Sequence, residues 1–522
     1  MRKLYIILSF LTTLLLTAQT APSIQWQRAY GGSESDQLKS IQSTTDGGYI
    51  FAGSTFSKDG DITYNNGKRN AWVIKADPQG GIQWQKTFGG SLYEMANSIR
   101  QTSDGGYIFV GSSVPINGNQ GTSDCWIVKL DPAGNIQWQK SIGGSNSEFA
   151  SDVQQTSDGG YIIAGTTYSV DGDISGNHGF DDFWIVKLDP AGNIQWQKCL
   201  GGSSTEEANS IQQTSDGGYI IAGSTGNIAD GDITETYGFF DWWIVKLDAL
   251  GNIQWQKTFG GPYSDVAKSI QQTQDGGYIA AGIYGKTFMD SDIWIIKLSS
   301  TGDTQWQKFF GGSKLEIANS IQQTSDNGYF IAGSSNSKDQ QIIGNQSDLN
   351  YLIIKTDDLG NLQWQKSLGG TGNDLVFSAI QTPDNGYLIT GNSDSNDGDV
   401  SGNHGTQSGD NENPNYLYHD AWIVKLSPDP FKKPEEPPVT KPKLSPILYP
   451  NPAMDFIYVD RLPIDFPTEI IITDMAGRKI FTQKYQEEKI KINTSAFPDE
   501  AYHIQVKIKE EMIFSEKIII RK

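Results

Sequence analysis

Four loops of this 522-residue chain repeat the triplet Asp-Gly-Asp: Asp59 and Asp61, Asp171 and Asp173, Asp230 and Asp232, Asp397 and Asp399. Two of them continue alike, as DGDISGNHG from Asp171 and DGDVSGNHG from Asp397. Carboxylates alternating with glycine, beside side-chain and backbone oxygens, are the ligand types that a hard cation takes. These loops are candidate cation-binding sites, and calcium is the cation they would suit. The sequence specifies no other cofactor. The pattern falls short of an EF-hand, because no copy has the full D-x-D-x-D-G run and no Glu follows at the required spacing. A polar turn in which Asp accepts from nearby backbone amides uses the same residues.

There are four histidines. His178 and His404 share the GNHG context, His419 lies with Tyr416 in the longest loop, and His503 stands far downstream. His178, His404, Tyr416 and His419 are the candidate ligand-contacting residues. No Cys/His metal spacing and no G-x-S-x-G element is present. Carboxylates are plentiful enough for a glycosidase pair, but no two stand out. No catalytic residue is assigned. Cys125 and Cys199 are the two cysteines, too few for a disulfide framework, so stability must come from packing. The formal charge of −20 argues against nucleic acid or an anionic membrane as partner.

The elements that carry these loops form a repeat. A tryptophan in an IQWQ-like element recurs at Trp26, Trp84, Trp138, Trp196, Trp255, Trp306 and Trp364, at intervals of 58, 54, 58, 59, 51 and 58 residues. Such a period marks a supersecondary unit that cannot bury its apolar face alone. In the copy from Ala208 to Lys257, ANSIQQT is a short β-prone run, followed by the turn Ser215-Asp216-Gly217-Gly218. An Asp-Gly pair between apolar runs signals a hairpin. YIIAGST and WIVKLD supply the second and third strands. A tight turn of the DPAGN type leads to the fourth, where alternation puts Ile253 and Trp255 on one face and the glutamines on the other.

Four antiparallel strands repeated seven times predict an all-β, seven-bladed β-propeller over residues 19–426. The array starts with a lone fourth strand at Ile24–Gln27 and ends with a third strand at Trp422–Leu426. The N-terminal strand is therefore expected to complete the last blade and leave no open edge. The regular Trp and DGG positions are expected to build the fold rather than perform chemistry.

Two connections per unit are tight, and two vary. The loop between the second and third strands runs from about eight residues (Tyr284 to Ser291) to almost 30 (Asn392 to Asp420). The segment after Phe-Gly-Gly also changes between copies. In an up-and-down blade both variable connections fall on one face of the disc. Because binding residues concentrate in loops on a rigid scaffold, that face is the expected recognition surface.

The ends carry their own signals. Met1 to Ala18 has two basic residues, an apolar run and small residues, the pattern of a secretory signal peptide too short to span a membrane. No transmembrane anchor is expected in the mature chain. Residues 427–444 (SPDPFKKPEEPPVTKPKL) read as a Pro-rich linker, and 445–522 as a separate small β-sandwich domain.

The repeat, with DGGYI-AGST and WIVKLD-GNIQWQK, resembles the seven-bladed propeller repeats of secreted Bacteroidetes-type proteins. DPAGNIQW is similar to the tryptophan-docking motif of quinoprotein dehydrogenase propellers but is one residue shorter and lacks Thr-Gly-Lys. Phe-Gly-Gly is similar to FG-GAP propellers, without their calcium loop. The C-terminal domain resembles the type A sorting domain of the type IX secretion system. It does so through Tyr449, Pro450, Asn451 and Pro452, then ITDMAGR with Gly477 and Arg478, then AYHIQV and the terminal KIIIRK. Asp499-Glu500-Ala501 departs from that family, which places Gly before the Tyr. The resemblance implies export through the type IX translocon, removal of the domain by its sortase, and an extracellular or outer-membrane-surface location. The reading that follows is a binding protein for a glycan or a protein; the competing reading is an extracellular polysaccharide-active enzyme.

Overall fold

The computed structural model describes residues 20–114, 123–345, 349–405, 418–429, 446–460, 462, 467–508 and 511–522. The signal-peptide segment, Tyr416 and most of the linker lie outside the described residues. The chain divides into two units, Met1–Lys432 and Lys433–Lys522.

The first unit contains seven four-stranded antiparallel sheets. Blade 1 consists of Asp36–Ser43, Tyr49–Thr55, Asn70–Ala76 and Ile82–Phe88 in that order. The same order recurs in blade 2 (Glu94–Gln101 to Ile136–Ile142), blade 3 (Glu148–Gln155 to Ile194–Leu200) and blade 4 (Glu206–Gln213 to Ile253–Phe259). Blade 5 runs from Val266–Gln272 to Thr304–Phe310, and blade 6 from Glu316–Gln323 to Leu362–Leu368. Blade 7 joins Asp374–Gln381, Tyr387–Ser393 and Asp420–Leu426 to Ile24–Tyr30, which pairs with Asp420–Leu426. The N-terminal strand thus closes the ring, and Trp422 donates its indole N–H to Gln27 Oε1 at 2.9 Å. In five other blades a third-strand tryptophan makes the same bond to a fourth-strand glutamine, as Trp184 does to Gln197 at 3.0 Å. Blade 6 has Leu352 there, and the preceding Tyr351 donates its hydroxyl to the Trp422 carbonyl.

The second and third strands are buried along their whole length in five blades and nearly so in blades 4 and 5, which is why YIIAGST and WIVKL read as nearly continuous apolar runs. Each core lies between neighbouring blades. That between blades 3 and 4, for example, joins Ile162, Ala164 and Phe183 to Ile211, Tyr219 and Trp243. Cys125 and Cys199 are free and buried in such cores. The fourth-strand tryptophan faces the next blade: Trp84, Trp138, Trp196, Trp255 and Trp306 sit 5.6–5.9 Å edge-on from the DGGY or DNGY tyrosine of that blade.

On the face of the tight turns, each buried third-strand lysine pairs with its DGG or DNG aspartate. The pairs are Lys75–Asp46, Lys129–Asp104, Lys187–Asp158, Lys246–Asp216, Lys297–Asp275, Lys355–Asp326 and Lys425–Asp384, at 2.8–3.1 Å. This lysine is what the aspartate at the turn holds in place.

The second unit has a three-stranded sheet (Ile447–Tyr449, Phe456–Asp460, Ile490–Asn493) and a four-stranded one. The latter is ordered Lys479–Tyr485, Thr468–Asp474, Ala501–Ile508, Glu511–Ile519. Ile457, Val459 and Ile492 from one sheet share a core with Ile470, Ile504 and Ile518 from the other. Among the described residues no helix is long and apolar enough to cross a membrane.

Candidate functional site

The Asp-Gly-Asp loops lock onto the Gly-Gly segment that enters the same blade. Ser33, Ser145, Ser203 and Thr371 donate their backbone N–H to Oδ1 of Asp59, Asp171, Asp230 and Asp397, each at 2.7 Å. Gly31, Gly143, Gly201 and Gly369 donate to Oδ2 of Asp61, Asp173, Asp232 and Asp399 at 3.1–3.3 Å. The carbonyls of those glycines accept from the N–H of the second aspartate in return. The glycine between the aspartates has φ of 57–69°, which favours Gly. Hydrogen bonds from Ser33 and Ser203 hold the Asp59 and Asp230 carboxyls below the usual range. Blade 6 builds the same loop from Asp339, Gln340 and Gln341, with Gln340 at φ 56°. Among the described residues no group of three or more His, Cys, Asp or Glu side chains is placed to hold a metal ion.

The rest of the DGDISGNHG and DGDVSGNHG sequences is explained by the same loops. Ile174 and Val400 are core residues. The Ser175 and Ser401 carbonyls accept from Gln197 and Gln27. Asn177 and Asn403 each donate to two second-strand or loop carbonyls. His178 Nδ1 meets Asp182 Oδ2 at 2.7 Å, and His404 Nδ1 meets Asp420 Oδ2 at 2.8 Å. Both rings remain about 40% exposed.

Behind these loops lies a feature missed at the sequence level. A residue at or next to the start of each innermost strand meets one at or next to the start of the preceding blade's third strand, beside the first Gly of the Gly-Gly segment. Five of these junctions are carboxylate pairs: Asp36/Asp420, Glu148/Asp124, Glu206/Asp182, Asp265/Asp241 and Glu316/Asp292. All ten residues are buried, apart from Asp292, which Lys286 neutralises at 2.7 Å. Burial pushes Asp36 and Glu206 up to about 7, and Asp265 and Asp420 up to about 6.

The variable-loop face also exposes large apolar side chains. Tyr64, Tyr93, Val170, Phe180, Tyr237, Phe239, Phe288, Met289 and Ile343 lie in its connections, whereas the tight turns expose Leu250 and Leu359. Phe288 is 77% and Met289 89% exposed. Phe288 contacts Phe239 and Tyr263 edge-on at 5.5 and 5.2 Å, forming one aromatic patch across blades 4 and 5. At the blade 7–1 junction a groove of about 430 Å3 is lined by Glu34, Gln37, Phe56, Arg69, Tyr418 and His419. Burial lowers His419 to about 4, which leaves its ring neutral at physiological pH. Asp397 lines a separate depression of about 400 Å3 with Asp394, Asn396 and Asn403.

A central channel of about 660 Å3 is lined by the innermost strand of every blade. Each of these strands carries a β-bulge, at Lys39, Asn97, Ser151, Asn209, Lys268, Asn319 and Phe377, and all seven line the channel. Bulges commonly re-aim a side chain in this way. Three residues further on, Gln42, Gln154, Gln212, Gln271 and Gln322 each accept a backbone N–H of the next blade through Oε1. Arg100 stands in that ring and pairs with Asp152 at 2.9 Å. Lining up the seven ANSIQQ-like strands was the available signal, since Lys39, Arg100, Asp152, Lys268 and Phe377 depart from their Asn, Ser and Gln counterparts.

In the second unit, the Tyr449 hydroxyl donates to Asp460 at 2.8 Å. Asn451 pairs both ways with the final strand, donating to the Lys517 carbonyl and accepting from the Ile519 N–H, each at 3.0 Å. The Tyr449–Pro450 and Asn451–Pro452 bonds are cis. Gly477, at φ 81°, and Arg478 form a turn closed on Asp474, whose carboxylate takes the Arg478 N–H and Nε.

Residues 447–521 match the family described as the secretion system C-terminal sorting domain. The regulatory protein FlaEY of Caulobacter vibrioides is 24% identical over 215 residues, which cover 37% of this chain and 22% of that protein. The extracellular domain of BT4673 from B. thetaiotaomicron aligns at 10% identity and TM-score 0.41, over 96% of this chain and 60% of that one. YCF48 bound to D1 peptide aligns at 10% identity and TM-score 0.40, over 78% of this chain and all of that one. The sorting domain addresses the chain to the type IX secretion machinery. The chain is a seven-bladed β-propeller with a type IX C-terminal sorting domain, and its place is the cell surface or the medium.

Proposed function

We propose that this protein is a binding module whose variable-loop face takes a macromolecular partner outside the cell, a protein or a glycan. The observation that carries the reading is the set of exposed aromatic and aliphatic side chains on that face, centred on Phe239, Phe288 and Met289. Exposed apolar clusters of this kind mark interaction sites on soluble proteins. Their phenyl and thioether character favours a protein partner over a sugar, since aromatic residues and Met are enriched at protein interfaces. The neighbouring polar connections would supply the rim.

Export follows from the ends. A signal peptide over 1–18 directs the chain out of the cytoplasm, and the sortase of the type IX system removes the domain from about residue 445. The propeller, 19–426, then acts at the surface with part of the linker, 427–444. A glycan array and a pull-down from outer-surface protein, each run with the full chain and with Phe288→Ser/Met289→Ser, test the reading. Binding that the double variant loses supports it. Binding that survives the double variant, or turnover of a polysaccharide without binding, overturns it.

A further inference from the structure

Of the three cations that line the central channel, Lys39 and Lys268 have no ion-pair partner among the described residues, whereas Arg100 pairs with Asp152. Lys39 and Lys268 sit at equivalent bulge positions of blades 1 and 5, on roughly opposite sides of the seven-membered ring. Lys39 Nζ donates to Asn97 Oδ1 at 3.1 Å and has no carboxylate partner among the described residues. Lys268 has neither a hydrogen-bond acceptor nor an ion-pair partner among them, and the exposed Glu207 is the carboxylate whose charge reaches it. The one acid lining the channel, Asp152, is already neutralised by Arg100 and accepts further bonds from the Ser98 hydroxyl and the Val153 N–H.

The neutral lining offers both donors and acceptors. The five channel glutamines turn their carbonyl oxygens to backbone N–H groups of the next blade, which leaves their amide N–H2 groups as the available donors. Asn97, Asn209 and Asn319 instead donate their side-chain N–H to carbonyls of the next blade and keep Oδ1 for the lumen, so the amides are mixed and the lysines supply the charge. Within a chain of net charge −20, this is a locally cationic cavity. Burial of an ammonium without a counter-ion is unfavourable, and a bound anion offsets it.

We infer that the central channel binds a small oxyanion between Lys39 and Lys268, either a carboxylate or an inorganic sulfate or phosphate. The site is distinct from the loop-face patch and does not depend on it. Burial, and the neighbouring Arg69 charge, lower Lys39 to about 8, so the site weakens as pH rises through that value. Lys268 is lowered as well by burial, against the opposing charge of Glu207.

Titration calorimetry on the full chain tests this at low ionic strength and slightly acidic pH. The probes are sulfate, phosphate and succinate, with chloride and glucose as controls. Saturable binding of one anion per chain is expected, with affinity reduced about tenfold or more in Lys268→Met and in Lys39→Met, as loss of a charge-assisted hydrogen bond implies. The anion bound most tightly distinguishes an inorganic from a carboxylate ligand. Both variants keep side-chain length, and Lys268→Gln serves if Lys268→Met does not fold. No saturable heat from any of the three anions, or equal affinity in wild type and variants, overturns the inference.

Discussion

Asp36 and Asp420 both direct carboxylate oxygens at Gly31, so that a Cβ on that glycine would overlap both. One residue opens the innermost strand of blade 1, and the other opens the third strand of blade 7, so this contact lies at the closure of the ring. Gly32 and Ser57 donate to Asp36 Oδ2 at 2.8 and 2.7 Å, while Asp36 Oδ1 and Asp420 Oδ1 are buried without a protein partner. Two such carboxyls are stable together when one of them keeps its proton.

That relationship sets the pH profile of stability. Asp36, Glu206, Asp265 and Asp420 hold a proton up to about 6 to 7, against about 4 in the unfolded chain. Their contribution is therefore complete below about pH 4 and is lost as pH rises through 6 to 7. The turn aspartates work in the opposite sense. Partial burial pushes Asp46, Asp104 and Asp275 upward, but the paired lysine and a threonine hydroxyl outweigh it and hold them at about 2. Their contribution is present above about pH 4 and is lost as pH falls through 2. Thermal melts should give the highest midpoint between about pH 4 and 6. A midpoint that climbs steadily from pH 5 to 8 would contradict the buried-pair reading.

Inserting a methyl group at the junction tests its packing. Gly31→Ala is expected to cost about 1–3 kcal/mol, the usual range for overpacking a filled core. Gly402→Ala, in the same face's loops, meets no atom within 4 Å and carries only the strain of its φ of 86°. Urea unfolding of both variants should rank Gly31→Ala as the more damaging. Equal effects would mean that the carboxylates move aside freely.

The lysine–aspartate pairs predict an asymmetry. Lys297 is 4% exposed and Asp275 55%. Asp275→Ala strands a buried ammonium and should cost about 3 kcal/mol or more. Lys297→Met leaves a carboxylate that water can solvate and should cost far less. Denaturant midpoints of the two variants check the order, and the reverse order would contradict it.

Calcium bears on the Asp-Gly-Asp loops. Their carboxylates accept backbone N–H bonds that a cation would have to replace. Melts with added calcium and with chelator are expected to coincide. A rise of several degrees with calcium, abolished by Asp171→Asn, would show that these loops take the ion.

Blade number and closure were legible because the Trp26-to-Trp364 spacing and the broken ends at Ile24 and Leu426 are one-dimensional facts. The Asp-Gly-Asp loops were legible as oxygen-rich turns, but not their partners. Asp59 and Ser33 are 26 residues apart, and an oxygen that suits an amide also suits a cation. The channel was not legible within any one unit, and only the comparison of all seven innermost strands marks its residues. Within one unit Lys268 is a polar residue in a short strand. A bulge turns it inward, and only the ring brings it into one lumen with Lys39. The carboxylate pairs were hidden for the same reason, since Asp420 and Asp36 are at opposite ends of the propeller sequence.

If the variable-loop face is the binding face, partner capture depends on Phe288 and Met289 and not on the tight turns. Partner capture at the outer surface should be compared for wild type, for Phe288→Ser/Met289→Ser on that face, and for Leu250→Ser/Leu359→Ser on the face of tight turns. All three should fold alike by circular dichroism. Loss of capture in the first variant and retention in the second is the result expected here. Retention in the first with loss in the second would contradict it.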